Sequence, residues 1–175
     1  MGRLSIIEER LKALNQATFQ ELCDSYLILK KPQFKVISRT GSQGGKEKTT
    51  KGVPDSFVLL SDNTYIFIEY TTQQTELFKK LKSDISNCTD ETKTQIPVSK
   101  ILEIILCFNS KLKVSDAEDL TKFANSLGIK VLKLITIDEL ALQLHLHHRN
   151  LAKDYLGLSL DTGQIIPLGQ FVQEY

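Results

Sequence analysis

Pro54-Asp55-Ser56-Phe57-Val58-Leu59-Leu60, then Ser61-Asp62-Asn63-Thr64, then Tyr65-Ile66-Phe67-Ile68-Glu69-Tyr70-Thr71: residues 54 to 71 decide the reading of this chain. Two apolar runs, partly β-branched and aromatic, flank a polar turn, which predicts a β-hairpin. Both runs are apolar on both faces, as central, covered strands are. Asp55 opens the first strand and Glu69 stands near the end of the second, so antiparallel pairing brings both carboxylates to the same end, away from the turn. An acid inside Tyr65-Ile66-Phe67-Ile68-Glu69-Tyr70 is costly to bury unless something pairs with it. Two hard carboxylates converging at one sheet end suit Mg²⁺, with waters and a phosphate completing its shell.

Register decides whether they converge. If Leu60 faces Tyr65, Asp55 lies opposite Tyr70 and points away from Glu69. With a three-residue turn or a bulge, Leu60 faces Thr64 and Asp55 lies opposite Glu69 on one face. A metal site at this hairpin therefore predicts the second register.

Upstream, Ser5 to Leu14 and Thr18 to Leu29 have helical spacing, and Pro32 ends the second helix. Phe34 to Arg39 alternates as a strand does. Thr40 to Gly52 is a polar loop of Gly, Ser, Lys and Thr. Downstream, Thr75 to Asn87 reads as a helix, Cys88 to Pro97 as a loop and Ile101 to Phe108 as a buried strand. Ser115-Asp116-Ala117-Glu118 forms a capping box that opens a helix stopping at Gly128. Ile129 to Ile135 is the next strand, and Thr136-Ile137-Asp138-Glu139 opens a further helix towards His147. Strand, helix, strand, helix implies a parallel crossover. The expectation is an α/β domain over residues 1 to 157, with a mixed central sheet flanked by helices. Residues 158 to 175 read as a tail or a linker to a further domain.

The chain has 175 residues, 41% hydrophobic and 25% charged, ordinary for a globular domain with a real core. No apolar run reaches the roughly 18 residues of a membrane helix. Met1-Gly2-Arg3-Leu4 leads straight into a charged amphipathic stretch, unlike a secretory signal. Cys23, Cys88 and Cys107 lack metal spacing and read as reduced thiols, which points to the cytoplasm. From Lys30 to Lys51, seven basic residues face one acid, Glu47. That stretch carries +6 and leaves −5 elsewhere, for a net charge of +1. Such a patch fits a phosphate backbone, and fits a solvated loop equally well.

Gly52-Val53-Pro54-Asp55 followed by Ile66-Phe67-Ile68-Glu69-Tyr70-Thr71 resembles the Pro-Asp…(Asp/Glu)-x-Lys signature of restriction-endonuclease-like nucleases. More specifically, it is similar to the branch of Holliday-junction resolvases and Mrr-type restriction enzymes. Glu21 matches the helical glutamate that completes the metal site there. The Gly41-Ser42-Gln43-Gly44-Gly45 loop precedes the Pro-Asp strand. Ile105 to Ser110 through Gly128-Ile129-Lys130-Val131 is similar to the family's second strand-helix-strand. Ile137-Asp138-Glu139-Leu140 resembles the ending of Mrr-type domains. The resemblance covers about residues 18 to 145 and extends to nuclease effector modules at the N-terminus of bacterial antiviral NTPases.

The resemblance implies a divalent-metal-dependent endodeoxyribonuclease, with a place in antiviral defence. Mg²⁺ or Mn²⁺ would be held by Asp55, Glu69, Glu21 and the Tyr70 carbonyl. Arg39, Ser42, Gln43, Lys46, Lys48 and Lys51 would grip the DNA backbone. The implied partners are DNA, a second copy of the chain, and a C-terminal NTPase or sensor domain in a longer protein, with no membrane. One position departs from the pattern. The family's lysine, which activates the attacking water and stabilises phosphorane charge, is here Thr71. Three explanations stay open. A lysine comes from elsewhere, with Lys46 and Lys51 in the loop or Lys79 and Lys82 on the next helix as candidates. Gln73 positions the water without charge. Or the site is degenerate, and the domain binds DNA or mediates assembly through a sheet edge or its histidine-bearing helix.

Other chemistries fit poorly. Gly44-Gly45-Lys46-Glu47-Lys48-Thr49 lacks the first glycine and the Ser/Thr of a P-loop, and leads into a strand. His145, His147 and His148 have no cysteine or acid at ligand spacing and read as surface or interface residues. No serine or cysteine stands in a nucleophile motif. Phe57, Tyr65, Phe67 and Phe108 read as core residues of strands.

Overall fold

The computed structural model describes residues 2–40 and 52–160. Two helices come first, α1 (Arg3–Lys12) and α2 (Gln16–Lys30). α1 buries Ile7 and Leu11, one turn apart, and α2 begins at Asn15, whose side chain accepts the Thr18 amide at 2.8 Å. β1 (Ser38–Arg39), β2 (Ser56–Leu59) and β3 (Tyr65–Thr71) follow. Then come α3 (Leu77–Cys88), α4 (Glu91–Thr94), β4 (Ile101–Phe108), α5 (Val114–Ser126), β5 (Val131–Ile135), α6 (Ile137–Leu146) and α7 (Arg149–Leu156).

The described residues form one mixed sheet of five strands in the order β1-β2-β3-β4-β5. β1, β2 and β3 pair antiparallel, and β3, β4 and β5 pair parallel. β3 lies in the middle and is buried along nearly its whole length, as its two apolar faces require. Ile66, Ile68 and Tyr70 point to one face, where they meet Phe19, Leu22, Tyr26, Leu140 and Leu151 of α2, α6 and α7. Phe67 points to the other, against Leu81 and Ile85 of α3 and Leu120 of α5. Helices on both faces of a mixed sheet is the α/β class expected from the sequence. No described helix is long and apolar enough to cross a membrane, and the three cysteines are free and buried.

Four local expectations need correction. Phe34 to Arg39 is not a six-residue strand. Pro32–Val36 is a 3-10 helix with proline in its first turn, and only Ser38–Arg39 pairs with β2. Proline is pre-set for a helical start, and the buried Phe34 anchors the turn. The Ser115–Glu118 capping box is not used. α5 starts at Val114 after Lys113, with no side-chain cap. The segment Cys88 to Pro97 contains α4, and α7 follows His148 where no helix was foreseen. Two end signals were read correctly. Gly128 takes φ +95° after α5, and Thr136 caps α6 through the Glu139 amide. The tail lies outside the described residues beyond 160.

Candidate active site

The site is built from the hairpin upward. Leu59 pairs with Tyr65 and Ser56 with Ile68, and the Leu60 amide donates to the Thr64 carbonyl at 2.8 Å. The connection is therefore the three residues Ser61, Asp62 and Asn63. Asn63 takes φ +66°, a conformation asparagine tolerates, and Asp62 accepts from the Thr64 amide at 3.0 Å. This is the register in which Asp55 lies opposite Glu69, so both carboxylates share the face that carries Phe57 and Phe67.

The two acids lace the ends of the strands together. The Tyr70 amide donates to Asp55 Oδ2 at 3.1 Å, and the Asp55 amide faces Glu69 Oε2 at 3.4 Å. Glu69 is 7% exposed. Burial pushes its carboxyl well above the usual glutamate range, and the hydrogen bond and charge of Asp55, with the charge of Asp84, push it further.

α3 covers this face and brings a second charged pair. Leu77, Leu81, Ile85 and Cys88 are its buried anchors. Lys80, Asp84 and Cys88 follow at intervals of four and so form one line along the helix. The Cys88 thiol donates to Glu69 Oε1 at 3.5 Å, and Lys80 Nζ donates to Asp84 Oδ1 at 2.6 Å. Asp84 Oδ2 is buried with no hydrogen-bond partner among the described residues. Burial raises the Asp84 carboxyl, against the opposing pull of Lys80. Burial works to lower the Lys80 ammonium, but the Asp84 bond and the charges of Asp84, Glu69 and Asp55 outweigh it and hold it above the usual lysine value.

Asp55, Glu69, Lys80 and Asp84 line one open cleft of about 470 Å³, together with Gln20, Arg39 and Gly52. Gly52 approaches Thr40 closely there. A Cβ at this position would stand 2.4 Å from the Thr40 methyl. On the opposite sheet face the Tyr70 hydroxyl donates to Asp24, which also pairs with Arg39 at 2.8 Å.

The sequence-predicted residues divide into three groups. Asp55, Glu69 and Arg39 line the cleft, though Arg39 is committed to Asp24. Glu21 is exposed and does not line it. The turns of α2 that reach the sheet are those of Gln16, Gln20 and Asp24. The Tyr70 carbonyl accepts Gln16 Nε2 at 2.8 Å. Thr71 is buried on the Glu69 face, but its hydroxyl accepts the Gln73 amide at 3.0 Å, and Gln73 is exposed and turned to the Thr75 carbonyl. Lys79 pairs with Glu76 at 3.5 Å, and Lys82 sits over the Phe123 ring at 4.8 Å. Ser42, Gln43, Lys46, Lys48 and Lys51 lie outside the described residues. Sequence reading passed over Lys80 and Asp84, although Lys80-x-x-x-Asp84-x-x-x-Cys88 on an amphipathic helix was a readable line.

Two carboxylates, Asp55 and Glu69, converge on one face and offer the oxygen donors that a hard divalent cation takes. Asp84 adds a buried oxygen with no hydrogen-bond partner among the described residues. Among the described residues, no group of three or more His, Cys, Asp or Glu side chains could by itself hold a metal ion, so waters and substrate oxygens would have to complete a shell on two carboxylates. No family model matches the chain, and neither a curated protein nor a solved structure matches it.

Proposed function

We propose that the chain is a metal-dependent endonuclease that hydrolyses DNA phosphodiester bonds, built on a restriction-endonuclease-like fold. The observation that carries the reading is the hairpin register, which sets Asp55 opposite Glu69 on one face at the rim of a cleft. Mg²⁺ or Mn²⁺ on Asp55 and Glu69, with waters and substrate oxygens, would supply Lewis-acid chemistry, lowering the pKa of a bound water and neutralising developing charge. The protein's own part is orientation. Asp55 is fixed by the Tyr70 amide and Glu69 by Cys88, so the acids are held before substrate arrives. The resemblance to antiviral effector modules adds a role in defence to this reading.

A second reading is a nuclease-like module that docks DNA without cutting it. The neutral, buried Thr71, whose hydroxyl is bound to Gln73, favours it. A supercoiled-plasmid assay with Mg²⁺ and with Mn²⁺ separates the two. The nuclease reading expects nicking or linearisation that disappears in Asp55→Ala and Glu69→Ala proteins of unchanged circular dichroism. Salt-sensitive DNA binding with no cutting in either metal would decide for the docking module.

A further inference from the structure

Positive charge beside the phosphorus stabilises the charge that develops in phosphodiester hydrolysis, and β3 carries none. We propose that Lys80, reaching in from α3, is the catalytic cation of this cleft and takes the place that Thr71 leaves neutral. The inference rests on the hydrolytic reading of Asp55 and Glu69.

Three observations single out Lys80. It lines the same cleft as Asp55, Glu69 and Asp84. It belongs to the one line of α3 that faces the acids, since Cys88, two turns further on, reaches Glu69 at 3.5 Å. The other two cations of that helix segment are engaged elsewhere, Lys79 with Glu76 and Lys82 over Phe123.

Asp84 fixes the position of the ammonium. The ion pair is 2.6 Å long, and the Asp84 side chain is 5% exposed while that of Lys80 is 37% exposed. One end is therefore anchored in the protein while the ammonium keeps donors free for a ligand, because Nζ carries three protons and Asp84 takes one. A lysine on a helix can serve the same phosphate as a lysine on a strand because only the placement of the charge matters, not its backbone origin.

In the step so served, a water oxygen forms a bond to phosphorus as one P–O ester bond breaks. The water gives up a proton to solvent, and the leaving oxygen takes one from solvent. Lys80 donates hydrogen bonds to a non-bridging phosphate oxygen throughout and keeps its own proton.

The experiment compares single-turnover plasmid cleavage, at saturating Mg²⁺, by the full chain and by Lys80→Met, Lys80→Arg, Thr71→Lys/Lys80→Met and Asp55→Ala proteins. Mg²⁺ affinity is measured by calorimetry and the fold by circular dichroism. Lys80→Met should lose about 100-fold or more in rate while still binding Mg²⁺, the scale for removing one transition-state donor. Lys80→Arg should retain more activity than Lys80→Met. Restoring the strand lysine in Thr71→Lys/Lys80→Met should recover at least about tenfold, which also distinguishes lost charge from lost fold. Cleavage by Lys80→Met within about twofold of wild type, with Asp55→Ala inactive, would overturn the assignment of Lys80 and leave the nuclease reading standing. Rates equally low in Lys80→Met, Lys80→Arg and the double variant, all with native circular dichroism, would also overturn it. A wild-type chain that cuts in no metal removes the nuclease reading and this inference together.

Discussion

The Tyr70 amide donates to the Asp55 carboxylate at 3.1 Å, across the hairpin and beyond the last residue pair that strands β2 and β3 share as regular ladder. One acid thus ends the backbone pairing and stands at the rim of the cleft at once. Its position depends on the turn at the far end of the hairpin, four pairs away. Asn63 takes φ +66° in that turn, where a β-branched side chain is strained. Asn63→Val should cost about 1–2 kcal/mol in urea unfolding, and Asn63→Gly should change stability by less than about 0.5 kcal/mol. Equal stability of the valine and glycine variants would contradict the argument.

Among the described residues, Glu69 is buried beside Asp55 and Asp84 without a cation of its own beyond the Lys80–Asp84 pair. Glu69→Gln should therefore raise the melting temperature in EDTA, by the equivalent of about 1 kcal/mol, because it removes a charge from a crowded, poorly hydrated place. Saturating Mg²⁺ should stabilise the wild type and leave the variant nearly unchanged. A variant less stable than wild type in EDTA would argue that Glu69 is a structural acid.

Glu139 behaves in the opposite sense. Burial works to raise its carboxyl, but bonds from Lys133 at 3.1 Å and from the Tyr26 hydroxyl at 2.9 Å, with the charge of Lys30, bring it below the usual glutamate range. A carboxyl lowered on folding contributes stability above its unfolded pKa, and that contribution fades as pH falls through the folded value. Glu139→Gln should cost about 1–2 kcal/mol at neutral pH. The gap to wild type should close in acid, below the ordinary glutamate range. Melting curves of both proteins across pH test this, and a gap that widens in acid would refute it.

On the other sheet face, the Tyr70 hydroxyl donates to Asp24 in a buried setting that Arg39 shares. Tyr70→Phe leaves that carboxylate one donor short. The loss should be about 1–3 kcal/mol in denaturant unfolding, and larger than for Tyr155→Phe, whose hydroxyl bonds the half-buried Ser25.

β3 and β4 were legible to the residue because long apolar runs bounded by turn formers have one interpretation. Asp55 and Glu69 were legible because an acid among apolar neighbours has few reasons to be there. Phe34 to Arg39 was misread because six alternating residues fit a strand and a short 3-10 turn alike, and the proline just before them decided for the turn. Glu21 was misplaced by helix phase. The turns of α2 that bond to the sheet run through Gln16, Gln20 and Asp24, and a glutamate one residue on is rotated about 100° away. Lys80 escaped notice between Lys79 and Lys82 for the same reason. Three lysines within four residues look alike in a sequence, and only the packing of α3 separates them.

Asp55, Glu69, Lys80 and Asp84 all come from one unbroken length of chain, residues 55 to 84, folded as a ribbon and the helix laid on it. New chain ends opened elsewhere, in the connection between α5 and β5 for instance, would leave those four side chains on a single covalent unit. The remaining strands and helices are then free to diverge in sequence, so long as they keep that unit's two faces dry.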